Sequence, residues 1–301
     1  MSRSPAHAAA PRALIPYAAL IGAIVSLCAG TSFAKQLFPL VGAQGATAYR
    51  VGFSALLLCV IWRPWRQPLT RDDLGRLALY GAVLGLMNLS FYMAIRTIPL
   101  GLAIAIEFIG PLSLALVHAR RPIHFVWIGL AALGLLLLLP LRDAAHALDP
   151  VGVGFAAAAA VCWALYIVLG KRTGHLPAGQ SVALGMTTAA LIVVPFGLIE
   201  AGAALLDPKL LALGLVVAIV SSAIPYSLEM IALRGIPKRS FGVMLSLEPA
   251  AGAVAGLLIL GEYLALSQWL AIGLIIAASV GVILTDPAAA GQIAEDGAPA
   301  P

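Results

Sequence analysis

Charged residues are scarce in this chain: Asp, Glu, Lys and Arg make up 10% of its 301 residues. Soluble domains contain about 25% charged residues, so this shortage excludes a soluble enzyme and a disordered protein. Cysteine is scarce as well, and Cys28, Cys59 and Cys162 all lie within apolar runs, which excludes a secreted disulfide scaffold. We interpret the three cysteines as small buried hydrophobic residues.

Motifs for catalysis are missing too. The sequence contains no Walker motif, no HExxH motif and no Cys/His cluster with the spacing of a zinc site. Its five histidines lie mostly outside the apolar runs and assemble no hydrolase site. We therefore expect no catalytic residues, no cofactor, no metal ion and no enzymatic activity.

The sequence is rich in apolar residues, which make up 61% of it and give a mean hydropathy of +1.01. They form stretches of roughly 18–22 residues, the length that a helix needs to cross about 30 Å of hydrocarbon. We predict an all-α membrane protein with ten transmembrane helices. The predicted spans are residues 14–34, 44–62, 76–95, 100–118, 123–141, 151–169, 181–200, 210–231, 240–260 and 268–285.

Basic residues outside the spans determine the predicted orientation. With the N-terminus in the cytoplasm, the cytoplasmic segments hold 13 Lys and Arg residues, counting Arg76 at the edge of the third span, and the outer segments hold 4. Because positive residues concentrate in cytoplasmic loops, both termini are predicted to face the cytoplasm, and the net charge of +5 does not indicate a nucleic-acid partner. A cleavable signal peptide over residues 1–34 is the alternative, but its apolar segment is longer than a typical signal sequence has.

Weak internal similarity indicates two halves. Three pairs of identical residues recur at offsets of 138, 136 and 134: Arg96 with Arg234, Gln44 with Gln180, and Cys28 with Cys162. Each half holds five spans, an odd number, so the second half must cross the membrane in the opposite sense. Such inverted repeats are typical of secondary transporters. The predicted parts are a cytoplasmic N-terminal tail (1–13), a first five-helix repeat (14–141), an outer linker (142–150), a second five-helix repeat (151–285) and a disordered cytoplasmic C-terminal tail (286–301).

Two charged residues, Arg50 and Glu107, lie inside predicted spans, where a charge costs roughly 2.5–3.5 kcal/mol to insert. They fall at similar depth, so we predict a buried ion pair that either fixes the helix register or serves function. Glu248 is the counterpart of Glu107 in the second half, and Pro249 and Pro111 predict broken helices beside the two glutamates. No cation is expected at the depth of Glu248, which leaves this carboxylate available to an ammonium group or a proton.

Other polar and aromatic residues complete the predicted substrate site. Four of them fall at middle depth: Asn88, Tyr92, Trp163 and Tyr166. They offer hydrogen bonds and aromatic faces to a zwitterionic ligand around one central space, although packing against lipid or neighbouring helices is the alternative for each aromatic ring. Glu229 lies near the cytoplasmic end of its span, where we expect either a gate or a salt bridge with the basic segment 234–239.

Four segments resemble those of known membrane carriers: AKQLFPLVG (34–42), GLAIAIEFIGPL (101–112), IPYSLEMIAL (224–233) and SLEP (246–249). They make the chain similar, over roughly residues 14–285, to the ten-helix EamA-type amino-acid exporters of the drug/metabolite transporter superfamily, and most of all to the bacterial threonine/homoserine exporters. This resemblance implies two inverted repeats around a central cavity in the bacterial inner membrane. The motif residues that it implies at the site are Glu107, Glu229 and Glu248, and we also predict Ser246 as a site residue.

The resemblance implies a secondary transporter that exports small neutral amino acids, similar to threonine or homoserine, by alternating access, and we expect the protein to be a monomer. A broader range that includes aromatic amino acids is an open alternative. A carrier of nucleotide sugars or other metabolites is another, although such substrates need anion clamps, for which Arg50 alone is thin support. An intramembrane lipid-modifying enzyme and a channel are alternatives from other classes. The expected partners are the amino-acid substrate and membrane lipid, with no nucleic acid.

Overall fold

The computed structural model describes residues 10–34, 37–98, 100–138, 149–260 and 266–285, and this part of the chain is helical, without β-strands. The prediction of an all-α protein is therefore confirmed. The helices are α1 (Ala10–Ala34), α2 (Phe38–Trp62), α3 (Arg71–Ala94), α4 (Leu100–Val117), α5 (Pro122–Leu138), α6 (Pro150–Arg172), α7 (Ala178–Ala201), α8 (Pro208–Gly235), α9 (Lys238–Met244), α10 (Leu247–Leu260) and α11 (Leu266–Thr285). Helix α8 includes one π-helical turn, Ile219–Ala223, and 3-10 turns follow α2 (Pro64–Arg66) and α7 (Gly202–Leu206).

Among the described helices, six contain stretches long and apolar enough to cross a membrane, with mean hydropathies between 1.4 and 2.2: Leu14–Thr31, Pro39–Trp62, Arg71–Ala94, Pro150–Arg172, Ala178–Leu206 and Pro208–Gly235. Three shorter apolar stretches are Ile106–Val117, Pro122–Leu137 and Trp269–Val282. Large apolar side chains on the outside of these helices, such as Ile199 at 82% exposure, are suited to contact with lipid.

The finer predictions of topology are not decided by helix length. The count of ten spans and their division into two repeats stay predictions. The predicted tails, 1–13 and 286–301, and the predicted linker, 142–150, lie wholly or mostly outside the described residues.

Polar caps begin several helices ahead of the apolar runs. At the start of α3, the Asp73 backbone N–H donates to Thr70 Oγ1 at 3.1 Å and the Thr70 backbone N–H donates to Asp73 Oδ2 at 3.2 Å. This capping box starts α3 at Arg71, ahead of the predicted span at 76. Asp149 and Asp207 cap α6 and α8 in a similar way, each followed by a proline at the first helical position.

Two interruptions occur in the helices. Gly42 in α2 has a φ of 70°, in the left-handed region that glycine adopts without steric cost, and α2 is kinked there. The predicted span 240–260 consists of two helices, α9 and α10, separated by a turn at Leu245 and Ser246. In contrast, α4 continues through Pro111 as one helix, so the predicted break beside Glu107 is wrong.

The helices before residue 139 pack mainly against those after residue 148. Helices α2 and α7 make the most extensive contact, followed by α1 with α8, and then by α5 with α11 and α3 with α6. Glycine allows some of these helices to approach closely, since a Cβ on Gly81 in α3 would lie 2.3 Å from the carbonyl oxygen of Gly185 in α7. The largest core cluster lies among these helices and includes Tyr80, Phe108, Trp163, Tyr166 and Tyr226.

Candidate functional site

A buried arginine joins α2 to α3 and α8. Arg50 in α2 is 5% exposed. Its Nε donates to Ser222 Oγ at 3.3 Å, and its Nη2 donates to the Ser221 carbonyl oxygen at 3.1 Å. Its Nη1 donates to the Tyr92 hydroxyl, and the guanidinium carbon lies 5.5 Å from the centroid of the Tyr92 ring. All three acceptors are neutral groups.

The π-helical turn of α8 provides part of this environment. Such turns depart from the regular hydrogen-bond pattern of a helix and are frequent at functional sites. Side chains from α1 and α2 donate to three carbonyl oxygens in or beside the turn: Ser26 Oγ to Val220 at 2.7 Å, Ser54 Oγ to Ala218 at 3.0 Å, and Arg50 to Ser221. The neighbouring helices therefore hold the turn in place.

Arg50 does not form the predicted ion pair with Glu107. In the described part of the chain, the ion pairs within 4.0 Å lie elsewhere. Tyr92 and the π turn take up the guanidinium instead, and a π turn gives no signal in hydropathy. The charge of Arg50 still interacts at longer range with both Glu107 and Glu248. The expectation that Glu248 has no cation nearby is therefore wrong.

Three glutamates from different helices share this region. Glu107 lies in α4, Glu229 in α8 and Glu248 in the first turn of α10, and the charge of Glu248 acts on the other two. Glu229 is 8% exposed and lies beside Tyr166. Among the side chains that are described, no basic residue of the segment 234–239 pairs with Glu229. Both interpretations of Glu229, a gate and a salt bridge, stay predictions.

Two cysteines lie beside these glutamates. Cys28 Sγ in α1 donates to the backbone carbonyl oxygen of Glu248 at 3.5 Å, and the thiol also interacts electrostatically with the Glu248 carboxylate. Cys162 in α6 interacts electrostatically with Glu107. Cys28 and Cys162 are one of the pairs that recur in the sequence, and Glu248 is the predicted counterpart of Glu107. The sequence-based interpretation of Cys28 and Cys162 as ordinary buried residues missed their position beside the glutamates.

An amide and three aromatic rings connect α3, α6 and α8. Asn88 Nδ2 donates to the Tyr226 hydroxyl at 3.1 Å. The Tyr226 ring packs edge-on against Tyr166 with 6.3 Å between centroids, and Tyr166 stacks on Tyr80 at 5.2 Å. Sequence reasoning missed Tyr80 and Tyr226. Tyr226 had a usable signal, because it lies 138 residues after Asn88, which is the offset of one repeat pair.

The two remaining predicted residues, Trp163 and Ser246, are also buried. The Trp163 ring packs edge-on against Phe108 with 6.1 Å between centroids, and Phe108 follows Glu107 in α4. Ser246 lies in the turn before Glu248, and its hydroxyl has no hydrogen-bond partner within the described ranges. A buried hydroxyl without a partner is costly, so this group is available to a ligand or a water molecule. The described His, Cys, Asp and Glu side chains form no group of three that could hold a metal ion.

Known proteins resemble this chain over most of its length. The threonine/homoserine exporter RhtA of Escherichia coli strain K12 is 49% identical over 272 residues, which cover 90% of this chain and 92% of that protein. The exporter of the same name from Salmonella typhimurium strain LT2 is 48% identical over 272 residues, with the same coverage. A sequence profile of the EamA-like transporter family matches residues 150–284. The chain belongs to the EamA-like transporter family.

A crystal structure of another protein shows the same fold as this EamA-like transporter. It has 20% sequence identity and a TM-score of 0.73, and the alignment covers 95% of this chain and 100% of that one. The chain belongs to a transporter family, and six of its described helices are long and apolar enough to cross a membrane. It is therefore a multi-pass membrane transporter. The intramembrane enzyme considered from the sequence is therefore not supported.

In this EamA-like transporter, a polar cluster joins helices at the C-terminal end of α7. Arg96 Nη1 pairs with Glu200 Oε1 at 3.0 Å. The other oxygen of Glu200 accepts the backbone N–H of Gln44 at 2.7 Å, two residues beyond the Gly42 kink. Glu200 therefore caps the helical segment that starts after the kink. We call Arg96, Glu200 and Gln44 the α7 C-terminal latch.

A second polar cluster lies at the opposite end of α7 and connects it to α6 and α8. Arg234 Nη2 donates to Ser181 Oγ at 3.0 Å and to the Thr173 carbonyl oxygen at 3.3 Å. Arg234 Nη1 donates to the Leu176 carbonyl oxygen, and Lys171 donates to the Ile236 carbonyl oxygen. Basic side chains and carbonyl groups therefore tie the α6–α7 turn and the end of α8 to each other.

Proposed function

We propose that this protein exports threonine, homoserine and related small neutral amino acids across the bacterial inner membrane. One observation carries the proposal: 49% identity over 90% of the chain with a protein named as an exporter of these two amino acids. The absence of a nucleotide-binding motif from the sequence favours secondary transport over transport driven by ATP. We propose that the protein acts as a monomer.

The topology proposed is ten spans in two inverted repeats, 14–141 and 151–285, with both termini in the cytoplasm. Reciprocal helix packing supports it: α1 packs on α8 as α6 packs on α3, and α1 packs on α10 as α6 packs on α4. The pairing of Cys28 with Glu248 and of Cys162 with Glu107 has the same reciprocity. Inverted repeats place a substrate site where the two halves meet.

The proposed substrate site combines charge, hydrogen bonds and aromatic surface. Its members are Asn88, Tyr92, Glu107, Trp163, Tyr166, Glu229, Ser246 and Glu248. Carboxylates and aromatic faces both attract a substituted ammonium ion, and the Ser246 hydroxyl suits a hydroxylated substrate such as threonine. A nucleotide sugar would instead need several cations around its phosphates, and the described interior holds three carboxylates around one arginine.

Alternating access gives the two polar clusters at the ends of α7 a role. A transporter of this kind must separate helices at one end of the site while keeping the other end closed. The α7 C-terminal latch ties α2, α3 and α7 together, and the cluster around Arg234 ties α6, α7 and α8 together. We propose that these contacts form and break in opposite phases of the transport cycle.

The test is transport by the purified protein in proteoliposomes. Vesicles loaded with unlabelled threonine or homoserine are diluted into buffer that contains radiolabelled threonine, and exchange is measured over time. Saturable exchange that needs substrate on both sides supports the proposal. Vesicles without protein are the control. Exchange of a nucleotide sugar in place of the amino acids, or a flux that does not saturate, would contradict it.

A further inference from the structure

We propose that Arg50, oriented by Tyr92 and the π turn of α8, binds the carboxylate of the transported amino acid, while Glu248 and Glu107 bind its ammonium group. This proposal rests on the proposed function and specifies how its substrate is held. It replaces the structural ion pair predicted from the sequence with a role for Arg50 at the substrate. The ligand class it defines is an α-amino acid with both charged groups unmodified.

The first argument is the charge of Arg50. A guanidinium that is 5% exposed inside a membrane protein needs a partner, because burying an unpaired charge is costly. The described residues place no carboxylate within 4.0 Å of it. Hydroxyl groups, a carbonyl oxygen and an aromatic face provide partial negative charge only. None of the described groups in direct contact with the guanidinium carries a full negative charge.

The second argument is the number of donors. A guanidinium has five N–H groups, and Arg50 uses one each on Nε, Nη1 and Nη2 in its described contacts. One N–H on Nη1 and one on Nη2 are therefore left over. A carboxylate at the outer end of the guanidinium can accept from Nη1 and Nη2 together, whereas the edge that includes Nε already contacts Ser222 and Ser221.

The third argument is that Arg50 is held in a fixed orientation without being neutralised. Tyr92 and the two serines come from α3 and α8, so they hold the guanidinium from two helices. Ser26 and Ser54 hold the turn that carries the serines. A guanidinium group that is already held in one orientation loses little conformational entropy when it binds a planar anion. This favours a binding role for Arg50 over a purely structural one.

The fourth argument concerns the ammonium group of the substrate. Glu248 acts electrostatically on Arg50 from outside ion-pair distance, and Glu107 experiences both charges. A zwitterion between the two sides would present its carboxylate to Arg50 and its ammonium group to the glutamates. Only one carbon separates these groups in an α-amino acid, so one small ligand can complete both sides.

The test compares ligands that differ only in the carboxylate. Inhibition of labelled threonine exchange is measured with threonine, with threoninamide and with 1-amino-2-propanol, which lacks the carboxyl group. The wild-type protein is expected to favour threonine over both analogues. In Arg50→Gln we expect threonine to bind about 10- to 100-fold more weakly while the two amines change little, so that the preference collapses. Arg76→Gln is the matched control, because Arg76 is an exposed residue of α3 outside the candidate site, and it should keep the wild-type preference.

A second variant covers the case in which Arg50→Gln does not fold, judged by gel filtration and thermal unfolding. Tyr92→Phe combined with Ser222→Ala keeps the arginine and removes two of its fixed contacts. We expect a several-fold loss of the threonine preference. An unchanged preference in a folded Arg50→Gln protein, or in this double variant when Arg50→Gln does not fold, would overturn the proposal. If the wild-type protein exchanges no amino acid, the proposed function itself fails; normal exchange with an unchanged preference refutes only the role of Arg50.

Discussion

Asn88 donates a hydrogen bond to the Tyr226 hydroxyl at 3.1 Å, and the two residues are 138 positions apart. The same offset separates Arg96 from Arg234, so Asn88 and Tyr226 are counterparts in the two proposed repeats. Counterparts that touch each other lie on the axis relating two repeats. This bond therefore links α3 to α8 at the place where the proposed halves would move relative to each other.

We expect Tyr226→Phe to impair transport more than stability. The substitution keeps the ring packing on Tyr166 and removes the hydroxyl that is hydrogen-bonded to the Asn88 amide, an interaction worth about 1 kcal/mol. The control is Tyr49→Phe, which removes a buried hydroxyl bonded to the Leu205 carbonyl oxygen at 2.9 Å, away from the site. Both variants should lose similar thermal stability, and only Tyr226→Phe should slow threonine exchange. Equal rates in the two variants would show that the Asn88–Tyr226 bond is structural only.

Glu248→Gln and Glu107→Gln should both fold and should both lose transport. Replacing Glu107 would unfold the protein if it neutralised Arg50 directly, since breaking a buried ion pair costs about 3–5 kcal/mol. Arg50 bonds to Tyr92 and the π turn instead, so we expect no such cost. Thermal unfolding and threonine exchange are the measurements. Asp72→Asn removes an exposed charge at the start of α3 and should leave both unchanged. A melting temperature that falls steeply in Glu107→Gln would restore the ion-pair interpretation.

The sequence predicted the helices well because hydropathy reports directly on the apolar length of a helix. It placed the starts of α3 and α8 too late, since Thr70 and Asp207 cap first turns that contain charged residues. It placed a break in α4 that does not occur. A proline leaves one carbonyl without its helical donor, and the rest of a helix can continue past it.

The site was less predictable because the depth of a residue in the membrane does not specify which side chains it contacts. Arg50 and Glu107 were expected to pair from their similar depth, yet two of the three acceptors of Arg50 lie in a π turn that has no sequence signature. The residues Tyr226 and Cys28 were accessible to a different argument. In the proposed repeats Tyr226 is the counterpart of Asn88, which it contacts, and Cys28 is the counterpart of Cys162.

The α7 C-terminal latch should respond unequally to loss of its two charged members. Arg96 and Glu200 form a partly exposed pair, and such pairs contribute about 0.2–1 kcal/mol. Glu200 also accepts the Gln44 backbone N–H as a helix cap, and such a cap contributes about 1 kcal/mol of stability in addition to the ion pair. Glu200→Ala should therefore lower the melting temperature further than Arg96→Ala. Added salt should reduce the effect of Arg96→Ala, while most of the Glu200→Ala effect should persist; equal losses would mean that the cap contributes nothing.

The proposed topology places the exposed residues Gln67 and Ala203 on opposite sides of the membrane. Gln67 lies between α2 and α3, and Ala203 lies between α7 and α8. Each is replaced by cysteine in a chain whose three native cysteines are changed to serine. A membrane-impermeant maleimide added to intact cells should label Ala203→Cys, and Gln67→Cys should react only after the cells are permeabilised. Labelling of both from outside would contradict the inverted repeats.

The native cysteines provide the last prediction, because Cys28 and Cys162 lie beside Glu248 and Glu107. In a Cys59→Ser background, a positively charged methanethiosulfonate reagent should react faster with both thiols than a negatively charged one, since the neighbouring carboxylates attract a cation. Modification should block exchange, because it places a bulky group against the proposed ammonium site. Threonine should slow the reaction at both positions.

Variants that retain a single cysteine separate the two sites. Cys162→Ser in this background leaves Cys28 to report on the second half, and Cys28→Ser leaves Cys162 to report on the first. If one ligand occupies a site between the halves, threonine should protect the two thiols over the same concentration range. Protection of one thiol without the other would place the substrate within one half. Protection of neither, in a protein that still exchanges threonine, would separate both glutamates from the substrate.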